Sequence, residues 1–163
     1  MIIAAGLAVA ACGKGEQTTA APTTPAAPAP AATPAAAPLV VAYDEVREAL
    51  AKDDLKDAQA RAKALGEGAG KDHPAMVAAV GKLTAMADIE DARQAFGDLS
   101  KALLEVLAKD AKLAEGVIAF RCPMALGYQK WAQIAPKEGK AAMRNPYMGQ
   151  KMLECGSKVD LTP

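Results

Sequence analysis

From residue 39 onward, apolar side chains recur at three- and four-residue steps. Leu39, Val40, Tyr43, Val46 and Leu50 form one stripe, with Asp44, Glu45, Arg47 and Glu48 between them. That spacing predicts a helix with one buried face. Asp53-Asp54 interrupts the pattern and offers a cap for the next helix. Leu55, Ala58, Ala62 and Leu65 resume the period up to Gly66. Gly66-Glu67-Gly68-Ala69-Gly70 reads as a glycine-rich loop. It lacks the preceding strand and the following Gly-Lys-Ser/Thr of a phosphate loop. Asp72-His73-Pro74 opens a third helix, with Pro74 near its first position and Met76, Val77, Val80, Leu83 and Met86 as its stripe. Asp88 caps the longest helix, with Asp91 completing an imperfect capping box. Ile89, Ala92, Phe96, Leu99, Leu103, Val106 and Leu107 line its buried side. Short connections favour antiparallel neighbours, and two helical hairpins make an up-down four-helix bundle.

Past residue 110 the helical period fades. Gly116 to Phe120 is a short apolar run, a strand or a brief helical extension. Pro123 disfavours helix at Cys122, so Cys122 and Met124 fall in a turn or an extended segment. In extended chain, Cys-x-Met puts both sulfurs on one side. Asn145-Pro146 reads as the cap and first residue of a further helix, stopped by Gly156. Met148, Met152 and Cys155 would then share one helical face. The expected fold class is all-α: an up-down four-helix bundle with a C-terminal loop and short helix packed on it.

The first 38 residues follow another pattern. Met1 to Ala11 is an apolar run ending Val9-Ala10-Ala11-Cys12. It resembles a bacterial lipobox, in which the cysteine is lipidated and becomes the mature N-terminus. The run is too short for a span, which needs about 20 residues. Residues 1–12 are therefore expected to be a lipoprotein signal peptide ending at lipidated Cys12. Gly13 in place of Asp after the cysteine implies the outer membrane, with the protein facing the periplasm. Residues 13–38 are Ala, Pro and Thr with almost no charge. Such a composition favours an extended, solvated linker without fixed structure. Residues 39–163 remain for one small domain.

Composition sharpens this only a little. Of 163 residues 52% are hydrophobic, but alanine inflates that figure and aromatics are 4%; an Ala-rich, aromatic-poor chain favours helices. The formal net charge is zero. From Lys112 onward lysine and arginine modestly exceed the acids, too weakly for a nucleic-acid footprint.

Chemistry concentrates at the end of the chain. Two of the three cysteines, four of the seven methionines and the only tryptophan lie from Arg121 onward. Thiolate and thioether ligands select Cu(I) and similar soft ions. Cys122, Met124, Met148, Met152 and Cys155 are the candidate ligands, and Trp131 could cover a bound cation. His73, three residues before Met76, could add a nitrogen. The competing reading is structural. In an oxidising compartment Cys122 and Cys155 form a disulfide, closing a loop worth roughly 3–4 kcal/mol, with the methionines packed around it. An enzyme is not expected. One histidine supplies no Ser-His-Asp arrangement and makes a zinc enzyme improbable.

Cys122-Pro123-Met124-Ala125, Trp131 and the run Arg144-Asn145-Pro146-Tyr147-x-Gly149-x-Lys151-Met152-Leu153-x-Cys155-Gly156 together resemble the bacterial family labelled domain of unknown function 3347. The upstream segment Ala87 to Leu103 fits as well, and the resemblance covers about residues 40–159. Members occur as secreted or lipid-anchored single domains, or fused to periplasmic adaptors of heavy-metal RND efflux systems of the copper/silver type. The resemblance implies metal handling without catalysis, with Cys122, Met124, Met152 and Cys155 on motif positions. Met148 stands where an aromatic residue is more usual, and the spacing before Trp131 is altered. The expected function is an envelope lipoprotein binding Cu(I) or Ag(I), as buffer or chaperone to an efflux complex. The alternative is a non-catalytic module, braced by Cys122–Cys155, that docks on another envelope protein.

Overall fold

The structure is a computed structural model, and it describes residues 36–125, 129–136 and 142–162. All of them fall within one compact unit, residues 32–163. The expected signal peptide, Cys12 and nearly all of the expected linker lie outside the described residues.

Four helices come first: α1 (Pro38–Ala51), α2 (Leu55–Ala69), α3 (Pro74–Thr84) and α4 (Ile89–Leu107). Each starts where local chemistry directs. Pro38 and Pro74 occupy first-turn positions, where a missing N–H costs nothing. Asp54 accepts from the Asp57 N–H at 2.9 Å, and Asp88 from those of Glu90 and Asp91 at 3.0 Å. Between α1 and α2, Asp53 takes a left-handed conformation (φ 62°), which Asp tolerates better than most residues.

The glycine-rich loop is not there. α2 runs through Gly66 and Gly68 to Ala69, and a short 3-10 turn, Gly70–Asp72, follows. At Gly66 a Cβ would lie 2.9 Å from Val80 Cγ1. The glycine thus lets α2 and α3 approach, rather than ending the helix.

The all-α expectation is overturned. Three antiparallel strands follow the helices: β1 (Val117–Arg121), β2 (Lys130–Ile134) and β3 (Ser157–Val159), in the order β2-β1-β3. The β-branched and aromatic residues that suit a pleated surface are Val117, Ile118, Phe120, Trp131, Ile134 and Val159. They sit in this segment, where chain-wide alanine content masks them. Phe120 pairs directly with Trp131 across β1 and β2, their rings stacked at 5.5 Å.

The helical part remains compatible with a bundle, α1 packing on α2, α2 on α3 and α3 on α4. Between α1 and α4, contact is made by side chains. The Tyr43 ring stacks on Phe96 at 5.2 Å, and the Tyr43 hydroxyl meets Ser100 Oγ at 2.6 Å. β2 lies against both helices. The core therefore runs continuously from Val40, Leu50 and Leu65, through Leu83, Leu99 and Leu103, to Phe120 and Trp131.

The short helix expected over residues 146–156 is also absent. Its cap forms, since Asn145 Oδ1 accepts from the N–H groups of Tyr147 (2.8 Å) and Met148 (3.2 Å). Gly149 then turns left-handed (φ 55°). After one 3-10 turn, Gly149–Lys151, the chain opens towards β3.

Candidate functional site

Two buried arginines hold this tail to the helices. Arg47 on α1 donates through Nη1 to the Arg144 carbonyl at 3.0 Å, and its other nitrogens pair with Asp44 and Glu48. Arg93 on α4 donates through Nε to the Pro146 carbonyl at 2.9 Å and through Nη2 to the Leu50 carbonyl at 3.0 Å. It also pairs with Asp53 and Glu90. Arg144 in turn binds Glu48 at 2.9 Å. Tyr147 enters the core, tilts against Phe96, meets Trp131 edge-on and donates to the Lys130 carbonyl at 2.7 Å. Gly149 packs where any Cβ would collide with Asp53 and Arg93. Gln150 donates through Nε2 to the Ala51 carbonyl at 3.1 Å. Nearly every position of the Arg-Asn-Pro-Tyr-x-Gly run is thus an anchor.

What the anchoring delivers is Cys155. Its Sγ lies 3.0 Å from Cys122 Sγ, and both are free thiols. Cys122 follows β1 and is wholly buried; Cys155 precedes β3 and is half-buried. Asn145, itself wholly buried, joins the two sides. Its Nδ2 donates to the Cys155 carbonyl at 2.7 Å, and its side chain lowers the Cys122 thiol. The backbone N–H groups of Met124 and Ala125 pull that thiol in the same direction. Burial pushes the Cys122 thiol up, but hydrogen bonds from Cys155, Met124, Asn145 and Ala125 outweigh it and leave the thiol below its ordinary value. Cys155 moves the other way: it donates to Cys122, is partly desolvated and faces that neighbour's charge. The pair is therefore unequal: the inner thiol gives up its proton more readily than the outer one.

The methionines are arranged differently from the sequence reading. Of the turn and the extended segment expected for Cys122 and Met124, the turn forms, at Pro123-Met124. The sulfurs therefore part: Cys122 points inward while Met124 is 63% exposed. Met148, Met152 and Cys155 share no helical face, because no α-helix forms there. Met148 is half-buried and lines, with Met124, Glu90, Arg93 and Gln129, a cleft of about 130 Å³. Met152 is 39% exposed, three residues before Cys155. His73 stands apart at the start of α3, in a surface depression with Asp72, Glu105 and Lys109. Its neighbour Met76 is wholly buried in the core, so the two do not present one site. Trp131 is wholly buried, with its indole Nε1 unpartnered. It is a core residue and not an exposed lid. Among the described residues, no group of three or more His, Cys, Asp or Glu side chains converges for a metal ion.

Sequence reasoning assigned Asn145 to capping alone and missed its contact with the thiol pair. The signal available was its position ten residues before Cys155 in a run otherwise rich in anchors.

Residues 39–114 match the family model described as Protein of unknown function (DUF3347). The match supports the family resemblance across the four helices, and it ends before the thiol pair. No curated protein and no solved structure matches the chain.

Proposed function

We propose that this chain is an envelope lipoprotein whose folded domain binds a soft monovalent ion, Cu(I) or Ag(I), between Cys122 and Cys155. It would act as a buffer or as a chaperone linked to heavy-metal efflux. The observation that carries the reading is the convergence of two thiols 33 positions apart to 3.0 Å, with one held towards the thiolate. Thiolates are the strongest soft ligands available to a protein. The site fits an ion after a modest opening. Metal–thiolate bonds are about 2.3 Å, so two sulfurs on opposite sides of one ion stand up to roughly 4.6 Å apart. Cys155, the half-buried member of the pair, is the sulfur nearer to solvent.

A second reading is the disulfide-braced interaction module, which the same separation also supports. One feature favours the metal. Four large apolar side chains are exposed among the described residues, and two of them, Met124 and Met152, lie within three positions of the paired cysteines. A structural disulfide needs no exposed thioethers beside it, whereas a soft ion gains ligands from them.

The test is competition for Cu(I) against a chromogenic chelator, using reduced full-length chain carrying Cys12→Ser. We expect one ion per chain, held tighter than micromolar. Cys122→Ser or Cys155→Ser should each weaken binding on the order of 100-fold, the upper end of what even outer-shell changes cost. Met152→Leu should weaken it less. Binding weaker than micromolar and indifferent to both cysteines would leave the interaction module as the reading.

A further inference from the structure

The two sulfurs are close but differ in access. Cys122 is wholly buried under the turn that carries Met124 and Ala125. Cys155 is half-buried, flanked by exposed Glu154 and a half-buried Gly156. Thiol–disulfide exchange requires the attacking thiolate to reach one sulfur from outside, and the other sulfur then departs as a thiolate. Only Cys155 can be reached. Around Cys122, the Asn145 side chain and the N–H groups of Met124 and Ala125 favour the charged form of the sulfur. Asn145 is itself fixed, because its oxygen holds the Tyr147 and Met148 N–H groups and its nitrogen the Cys155 carbonyl. Donors are thus in place for a departing thiolate at 122 before any reaction starts.

From this arrangement we infer that Cys122–Cys155, once oxidised, is an exchangeable disulfide opened at Cys155 by an external thiol, with Cys122 as the leaving sulfur. In the first step an external thiolate forms a bond to Cys155 Sγ. The Cys155–Cys122 bond breaks, and its electron pair stays on Cys122. In the second step another external thiolate attacks the added sulfur and releases Cys155 as a thiolate, which takes a proton from water. Two external thiols are oxidised to one disulfide, and the protein disulfide is reduced to two thiols. The partner is a small-molecule thiol or a dithiol reductase, and the reverse oxidation is driven by a disulfide oxidant. The inference rests on the metal reading for its purpose, since only the reduced pair offers two thiolates to an ion. The exchange itself needs no metal.

The experiment uses full-length chain with Cys12→Ser, oxidised by diamide in metal-free buffer. It is then exposed briefly to N-acetylcysteine, quenched in acid and mapped by mass spectrometry. The mixed disulfide should sit on Cys155 in roughly tenfold excess over Cys122, because access decides which sulfur is attacked. Equal partition, a preference for Cys122, or failure of the folded chain to form the intramolecular disulfide would overturn the inference. In Asn145→Ala the adduct should remain on Cys155 while opening slows several-fold; an unchanged rate would remove the donor's part in it. If that variant does not fold, mapping on the Cys12→Ser chain decides alone. Selective exchange at Cys155 without Cu(I) binding by the reduced chain would defeat only the metal reading. Cu(I) binding with unselective exchange would defeat only this inference.

Discussion

Asn145 is saturated on both ends of its amide, and nothing around it can replace it. Removing the side chain leaves two backbone N–H groups and the Cys155 carbonyl without their partners. Unpaired buried groups of this kind cost about 1–3 kcal/mol each when water cannot reach them. Asn145→Ala should therefore lower unfolding stability in urea by about 2–4 kcal/mol, allowing for partial hydration. Glycines separate into two kinds at this scale. Gly149 combines positive φ with a site where a Cβ collides with Asp53 and Arg93, so Gly149→Ala should destabilise by about 2 kcal/mol or more. Gly68 and Gly81 lie inside helices with open space beside them. Gly68→Ala and Gly81→Ala should each raise stability by about 0.5–1 kcal/mol, because glycine loses most freedom in a helix. Opposite signs in one set of thermal melts check both claims.

Among the elements, the four helices were legible because each announces itself twice. It has a stripe at helical spacing, and it has a chemical start at Pro38, Asp54, Pro74 or Asp88. Only the end of α2 was misread, since Gly66 serves close packing against Val80 and resembles a stop when no neighbour is visible. The sheet was legible in part. Val117 to Phe120 suggested a strand, but β2 and β3 are short and their pairing joins residues far apart, which no local period reveals. The tail misled for a physical reason: Asn145-Pro146 does build a helix start, and the left-handed turn at Gly149, packed against Asp53 from the α1–α2 connection and Arg93 from α4, ends it. The thiol pair was legible as two cysteines in one small domain. Its inequality was not, because it depends on a turn at Pro123 and on Asn145 arriving from elsewhere.

For the molecule as a whole, the tail hangs on two guanidinium groups. Arg93→Ala would strip partners from the Pro146 and Leu50 carbonyls and leave Asp53 facing an empty slot. We expect a loss of about 2–3 kcal/mol, with the helical circular dichroism largely kept at low temperature and Cu(I) affinity reduced. A loss of helix signal equal to the loss of affinity would show that the tail is not separable from the bundle. Alkaline pH probes the same junction. Burial pushes the hydroxyls of Tyr43 and Tyr147 well above their ordinary value, against the lowering pull of Ser100. A group that keeps its proton when folded and loses it when unfolded favours unfolding as pH rises past the unfolded value, near 10. Two such groups give a slope of up to about 2.7 kcal/mol per pH unit. Urea midpoints should hold steady to about pH 9.5 and fall steeply above it; a flat profile to pH 11 would place those hydroxyls in contact with water.

Gln150 reaches back to Ala51, 99 positions earlier, and β3 completes a sheet begun at Val117. A protein is made from its N-terminus, and contacts this distant in sequence wait for both ends to exist. Cys122 therefore leaves the ribosome before its counterpart, which follows 33 positions later. A chain cut between the end of α4 and position 155 would keep all four helical stripes and lack one half of the thiol pair.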